Sequence, residues 1–427
     1  MKRLLKNTSI LYGSNILSSF LALGTLTLTA RGLGPEMFGM MVLITSYIHI
    51  VDRFVNFQSW QAIVKYGSES LSRGNTEDFK SLVKFGFVLD ISTAFIGQIL
   101  TIVVVFLIGK FKMWDTQFIV VSFIYSITIL FHINGTPTAI LRLFDKYTVI
   151  AFQKIVSSSL KLLFSAVAFI LNADLKAFII IWAASDIVGN IALVIFAQKA
   201  MVSRGMQGFV FCSLKDLSKR FEGIWKFVWA SNIHASVKLG LKEIDVVIVG
   251  HLLGLHGAGI YKVVKSIGTS IGSFTGPLYQ VIYPELAKNV ETRNYVALRR
   301  LIINPLGLVS IVSVALFLLF ILFGETAITM FLGIEYIISF HPAQIYLIGT
   351  LLSMVTFSFH PTLLSLGKAT TSLYILLFST FVYLVSLVIL TNAYGLAGSS
   401  LSFVFFYVVW STIQGFTINT CLKRSLL

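Results

Sequence analysis

Eleven ionisable side chains interrupt stretches of sequence that are otherwise apolar: Asp52, Arg53, Asp90, Lys161, Asp186, Lys238, Lys242, Glu243, Asp245, Lys262 and Lys265. Ionisable groups in such surroundings are expensive and tend to face a bundle interior. His234, Lys238, Lys242 and Asp245 follow i, i+4, i+8, i+11 and so share one helical face. Lys262, Lys265 and Thr269 do the same one helix later, with Ser266 and Ser270 beside them. Two helices can therefore aim cations at one space, where ammonium and guanidinium groups bind concentrated negative charge. The candidate binding cations are Arg53, Lys161, Lys238, Lys242, Lys262 and Lys265. Asp52, Asp186 and Asp245 are the candidates for coupling to an ion or for internal ion pairs. For Asp186 a structural salt bridge is the favoured role, and Asp90 is expected near the inner surface in solvent. Lys238 and Lys242 can equally pair with Glu243 or Asp245, and Lys262 and Lys265 can snorkel outward. His132, His341 and His360 read as satisfied core histidines. His49, four residues before Arg53, is the best cavity candidate among the histidines.

Other chemistry is missing from the pattern. There is no GxxxxGK[ST] phosphate loop and no HExxH, and no nucleophile elbow is expected, since a strand-to-helix turn is missing from the pattern. Two distant cysteines, Cys212 and Cys421, make neither a disulfide framework nor a metal site. No catalytic residue, metal or cofactor is expected beyond coupling to H+ or Na+.

The elements that must position these groups are transmembrane helices. The 427 residues are 56% hydrophobic and only 12% charged, with mean hydropathy +0.87, against roughly 25% charged in soluble domains. A bilayer-spanning helix takes about 20 apolar residues. Twelve such spans are predicted: 9–30, 38–64, 85–108, 117–140, 151–171, 177–198, 227–250, 259–283, 301–323, 340–364, 370–391 and 396–420. The first follows the basic start Met1-Lys2-Arg3 and is too long for a signal peptide's apolar core, so it reads as a retained span. If the N-terminus is cytoplasmic, 23 Lys and Arg fall inside and four outside, which by the positive-inside rule puts both termini in the cytoplasm. The net charge of +15 is then explained by topology rather than by nucleic acid.

The fold class is all-α and polytopic, with a six-helix lobe over 1–198, a cytoplasmic linker over 199–226 and a second lobe over 227–427. In the linker Leu214, Leu217, Phe221 and Val228 recur at helical spacing, and Ser213 with Asp216 reads as a capping box. An amphipathic helix on the inner surface is predicted there. The lobes echo each other. Leu33-Gly34…Gly39 and Leu253-Gly254…Gly259 are both LGxxxxG, 220 residues apart, in the first outside turn of each half. These four glycines are expected at positive φ or at close backbone approach. Pro137-Thr138 and Pro361-Thr362 are a second echo. A parallel duplication follows.

At this point the chain resembles a known family. The run Thr29-Ala30-Arg31-Gly32-Leu33-Gly34-Pro35-Glu36-Met37-Phe38-Gly39 looks like the aRxLGpexfG turn of polysaccharide-biosynthesis flippases. Residues 52–61, DRFVNFQSWQ, resemble the second helix of O-antigen oligosaccharide flippases of the Wzx type, and Asp245–Gly250 with Leu253-Gly254 and Gly259-Ile260-Tyr261 their seventh-to-eighth helix junction. That group lies in the multidrug/oligosaccharidyl-lipid/polysaccharide (MOP) exporter superfamily, with its MATE-like fold. The resemblance implies two lobes around a central cavity in the bacterial inner membrane. It implies movement of an undecaprenyl-pyrophosphate-linked glycan between leaflets, with the polyprenyl tail left in lipid. A glycan polymerase, a chain-length regulator and membrane lipids are the implied partners. Ser, Thr, Asn and Gln on the helices would serve sugar hydroxyls, and Trp and Tyr would offer flat surfaces. A small-molecule/cation antiporter of the same superfamily is the alternative. A membrane-embedded glycan polymerase or ligase is disfavoured, because outside turns of roughly 5–13 residues are a poor scaffold for catalysis.

Overall fold

A computed structural model describes the backbone of residues 2–57, 59–110 and 116–426, and the side chains of these except 2–8, 108–110, 230, 233–242, 277, 280 and 424–426. The first half comprises α1 (Lys2–Val55), α2 (Ser59–Ser72), α3 (Thr76–Lys110), α4 (Thr116–Leu130), α5 (Gly135–Leu143), α6 (Tyr147–Ile170) and α7 (Leu175–Val202). After the short α8 (Leu217–Arg220) come α9 (Ile224–Gly272), α10 (Gly276–Glu291), α11 (Tyr295–Phe331), α12 (Phe340–Val355), α13 (Phe359–Ser365) and α14 (Ala369–Leu426). The described residues contain nine apolar helical stretches long enough to span a bilayer. Three helices turn sharply at glycines of positive φ, Gly34, Gly254 and Gly395, so the stretches resolve into twelve spans. Large apolar side chains such as Phe95, Ile99, Ile311 and Leu322 stay exposed, which suits a surface bathed in acyl chains.

The helices run further than the apolar runs alone suggest. α2 continues to Ser72 and α6 begins at Tyr147, because polar residues extend a helix into the headgroup layer without penalty.

By contacts the chain divides into two compact units, 1–32 with 40–247, and 33–39 with 248–427. The division falls inside α9, not at 226/227, and the first turn belongs with the second unit. In the first unit two spans are broken. The second stops at Val55 and restarts at Ser59, and the fourth stops at Leu130 and restarts at Gly135. In the second unit a 3₁₀ turn over Ser273–Thr275 joins α9 to α10, and α12 ends at Val355 before α13 begins at Phe359. Pro137 and Pro361 are each the third residue of a restarted helix, where a missing N–H leaves no intrahelical bond unmade.

Gly34 and Gly254 have φ of 71° and 73°. A Cβ on Gly39 would run into the carbonyl oxygen of Leu255, and one on Gly259 into that of Pro35. Both contacts lie in the second unit and are related by the 220-residue offset, so the turns pack reciprocally, Pro35 corresponding to Leu255 and Gly39 to Gly259.

The segment 203–223 does not form the predicted amphipathic helix. Only Leu217–Arg220 is α-helical, after a 3₁₀ turn at Phe209–Phe211. Ser213 Oγ accepts from the Lys215 N–H at 3.1 Å, and Asp216 sits in the left-handed region with φ 57°, so the capping box is absent. The apolar residues are nonetheless buried. Leu217, Phe221, Ile224 and Val228 join Ala62, Ile63, Leu82 and Phe85 in one core cluster of the first unit. Arg220 ties the segment down by donating to Asp78 at 3.0 Å, Ser81 Oγ at 3.2 Å and the carbonyls of Ser213 and Lys215.

Candidate functional site

The first unit contains a polar cavity of about 390 Å³. Its charged lining comes from three spans: Asp52 and Arg53 on α1, Lys154 and Lys161 on α6, and Asp186 on α7. His49, Tyr125, His132, Gln153, Ser157, Ser158, Trp182 and Asn190 complete its polar and aromatic wall. Helical spacing puts these groups there. On α6 they fall at 153, 154, 157, 158 and 161, and on α7 at 182, 186, 189 and 190, each set a single face.

The helix breaks supply the rest. Asp52 is only 4% exposed, and His132 lies in the non-helical link of the fourth span. His132 Nδ1 is 2.8 Å from Asp52 Oδ1 and 2.7 Å from Oδ2. In the tautomer with its proton on Nδ1 the ring donates to Asp52, and the Asn56 amide nitrogen stands 3.0 Å from the same Nδ1. The Asn56 amide, in the break after Val55, donates to the His132 carbonyl at 3.1 Å and to Asp52 Oδ1 at 3.3 Å. The His132 carbonyl, where the fourth span breaks, is thus satisfied by a side chain beside a cavity, the condition under which irregular backbone is tolerated at membrane depth.

On the opposite wall Lys161 Nζ donates to Asp186 Oδ1 at 2.6 Å and stands 5.0 Å from the Trp182 ring. Tyr125 OH reaches Asp186 Oδ2 at 3.5 Å, and its ring packs edge-on against His49. Lys154 donates to the neutral Asn15 Oδ1 at 2.6 Å. The wall carries three formal positive charges and two negative. An anion entering it meets Lys154, which bonds a neutral amide, and Lys161, which donates to Asp186.

Five sequence candidates, His49, Asp52, Arg53, Lys161 and Asp186, therefore meet in one cavity. Of the other candidates whose side chains are described, none lines it. Asp245 is 4% exposed and accepts the Val246 N–H at 2.8 Å, and Glu243 accepts from Ser46 at 3.1 Å. Lys262 and Lys265 are half-buried in the second unit. Lys238 and Lys242, with His234, lie outside the described side chains. Asp90 corrects the expectation of a solvated group. It is 1% exposed, and Oδ2 accepts the Thr136 N–H at 2.9 Å. It lends the first turn of α5 a cap from a neighbouring helix. His132 is more than a satisfied core histidine, since it also faces the cavity. His360 is paired with Ser372 at 2.9 Å, and His341 with Gln344 at 3.2 Å. Lys154, near the start of the predicted span 151–171, is not among the sequence candidates, although the polar stripe from Gln153 to Lys161 marks it.

Residues 4–290 match the family described as polysaccharide biosynthesis protein. The chain belongs to that family. A relative within reach of alignment is the inner membrane protein YghQ of Escherichia coli K12, 28% identical over 287 residues, 67% of this chain and 81% of YghQ. Among solved structures, an inward-facing multidrug resistance MATE family transporter of the MOP superfamily aligns with TM-score 0.73 at 14% identity, covering 96% of this chain and 95% of that one. The lipid II flippase MurJ in an inward closed conformation aligns with TM-score 0.72 at 12% identity, covering 99% and 90%. This polysaccharide biosynthesis family member therefore has the MOP superfamily fold and is a multi-pass membrane protein.

Proposed function

We propose that the protein is a flippase that carries an undecaprenyl-pyrophosphate-linked oligosaccharide, an O-antigen or similar repeat unit, across the bacterial inner membrane by alternating access. The observation that supports this most is the polar cavity of the first unit, with three cations on two spans inside an otherwise apolar bundle. Such a wall suits an anionic, hydroxyl-rich headgroup. Arg53, Lys154 and Lys161 would meet its charge. Gln153, Asn190, Ser157 and Ser158 would meet hydroxyls, with Trp182 as a flat surface. The inner-membrane location is supported by the likeness to YghQ, and cytoplasmic termini by the basic-loop asymmetry. Coupling to H+ or Na+ through Asp52 or Asp186, and cooperation with a polymerase and a chain-length regulator, belong to the same reading.

The test is surface glycan in cells lacking the gene, complemented with wild type, Arg53→Ala or Lys161→Ala at matched expression. The reading requires that deletion abolishes the glycan, that the lipid-linked unit accumulates on the inner leaflet, and that the charge variants rescue poorly. Unchanged surface glycan on deletion overturns it.

A second reading, a small-molecule/cation antiporter, is favoured by one observation: the same cavity holds two carboxylates, Asp52 and Asp186. It requires cation-driven efflux of a drug or organic cation from proteoliposomes, abolished by Asp186→Asn.

A further inference from the structure

A second cavity, of about 570 Å³, lies between α3 and the segment before α9. Phe85, Val88, Leu89, Leu214, Leu217 and Trp225 make an apolar wall, and Ser92, Asp216, Ser218 and Lys219 supply its polar part. We propose that this cavity is a binding site for an anionic phospholipid of the membrane's cytoplasmic leaflet, its acyl chain lying along α3 and its phosphate at Ser218 and Lys219.

Three features select that occupant. First, the α3 wall continues into a surface that only lipid can cover: Val88, Ile91, Phe95, Ile96 and Ile99 are all at least 40% exposed. A void opening beside hydrocarbon fills with an acyl chain rather than with water. Second, the flanking segment is an interfacial one. Phe211 is 91% exposed, Trp225 46% and Trp229 53%, and exposed aromatics of this kind settle at headgroup depth. Third, the charge is complementary. Residues 199–226 hold six Lys and Arg against two carboxylates, and basic segments at a span's end attract anionic lipid.

Asp216 makes the proposal specific. Lys219 Nζ lies 2.8 Å from its Oδ1, with both side chains largely exposed. The carboxylate therefore competes with a lipid phosphate for the lysine at the cavity. Asp216 also has φ 57°, a conformation that asparagine adopts as readily. Asp216→Asn thus removes the competitor and leaves the backbone undisturbed.

The experiment uses the full chain purified in detergent. Thermal unfolding and native mass spectrometry are run with added phosphatidylglycerol, phosphatidylcholine or inorganic phosphate. Wild type is expected to unfold several degrees later with phosphatidylglycerol than with phosphatidylcholine, and to retain one or two phosphatidylglycerol molecules. Asp216→Asn should bind phosphatidylglycerol several-fold more tightly. Lys219→Glu should lose the preference while melting normally without lipid, and Val88→Trp, which fills the cavity from its lipid-facing edge, should reduce retention of both lipids. Equal stabilisation by the two lipids, or no change in Asp216→Asn and Lys219→Glu, overturns the proposal. Equal stabilisation by inorganic phosphate does so too, because it makes the site one for a free anion.

Discussion

His132 Nδ1 lies within 2.8 Å of both carboxylate oxygens of Asp52, although 80 residues separate them. The pair joins two spans where each has lost its helix, and Asn56 completes the junction through the His132 carbonyl. The two breaks differ in their sequence: residues 56 and 57 are Asn and Phe, whereas the fourth span breaks just before Gly135 and Pro137, where proline would interrupt a continuous helical ladder. The Asn56 amide of one span donates to the freed His132 carbonyl of the other, and the Asp52–His132 hydrogen bond ties the two spans together.

Breaking this pair from either side should destabilise the first unit. Removing one member of a buried pair costs roughly 3–5 kcal/mol, so Asp52→Ala and His132→Ala should each lower stability by about 3 kcal/mol in reversible chemical unfolding. The double variant should lose less than the sum, with a coupling of about 1–3 kcal/mol. Additive losses would show that the two side chains act independently.

The Lys161–Asp186 pair separates the two functional readings. If the cavity takes an anion, Asp186→Asn frees Lys161, and affinity for pyrophosphate, measured by calorimetry on the purified protein, should rise roughly tenfold, about 1.4 kcal/mol. Lys161→Ala should abolish that binding. If the cavity takes a cation, the signs reverse: Asp186→Asn removes the ligand, and Lys161→Ala relieves repulsion and strengthens binding of an organic cation. The pair is 19% and 34% exposed, so its loss should change stability far less than loss of the Asp52 pair.

The twelve spans were legible because a bilayer imposes one length on every apolar run, and the three sharp turns because Gly34, Gly254 and Gly395 stand in them. The cavity was half legible. Arg53, Lys161 and Asp186 betray themselves as charges deep in apolar sequence. Lys154 does not, since it stands at the edge of the predicted span 151–171, whereas α6 starts at Tyr147 and sets it further from the helix end. Asp90 lies deeper than a span starting at residue 85 predicts, because α3 begins at Thr76 and carries Asp90 well into the bundle. The role of His132 could not be read from spacing, because its partner lies on another span. The segment before α9 kept its apolar periodicity in burial but not in helix, since Arg220 satisfies the loop carbonyls that a helix would otherwise have used.

The two turn glycines at closest approach should tolerate nothing larger. A methyl group at Gly39 or at Gly259 strikes a backbone carbonyl, which has no rotamer to yield. Gly39→Ala and Gly259→Ala should each sharply reduce folded protein in the membrane. Gly254 has open space around its missing Cβ but a φ of 73°. Gly254→Ala should therefore cost about 1–3 kcal/mol, because φ 73° with ψ −172° is a backbone region populated almost only by glycine, and Gly254→Asn about as much. Fluorescence-detected size-exclusion of the four variants ranks them. Equal yields for Gly39→Ala and Gly254→Asn would show that the reciprocal packing does not hold in the membrane.

Cys212 reports on both electrostatics and orientation. Partial burial raises its thiol pKa above the ordinary value, and the bond from Sγ to Glu77 Oε2, 3.6 Å long, raises it further by penalising the thiolate beside a carboxylate. Because the shift is upward, less thiolate exists at pH 7 to 8 than for a free cysteine, and thiolate is the form that reacts. Maleimide labelling of Cys212 should be slow at pH 7 and accelerate as pH rises toward and past 9. Glu77→Gln removes one of the two causes, so it should speed labelling at pH 7.5 by roughly threefold, with no effect on Cys421. A membrane-impermeant maleimide applied to inside-out vesicles should reach Cys212, and applied to intact spheroplasts should not. Labelling only from the spheroplast side would invert the topology and, with it, the leaflet from which the polar cavity is loaded.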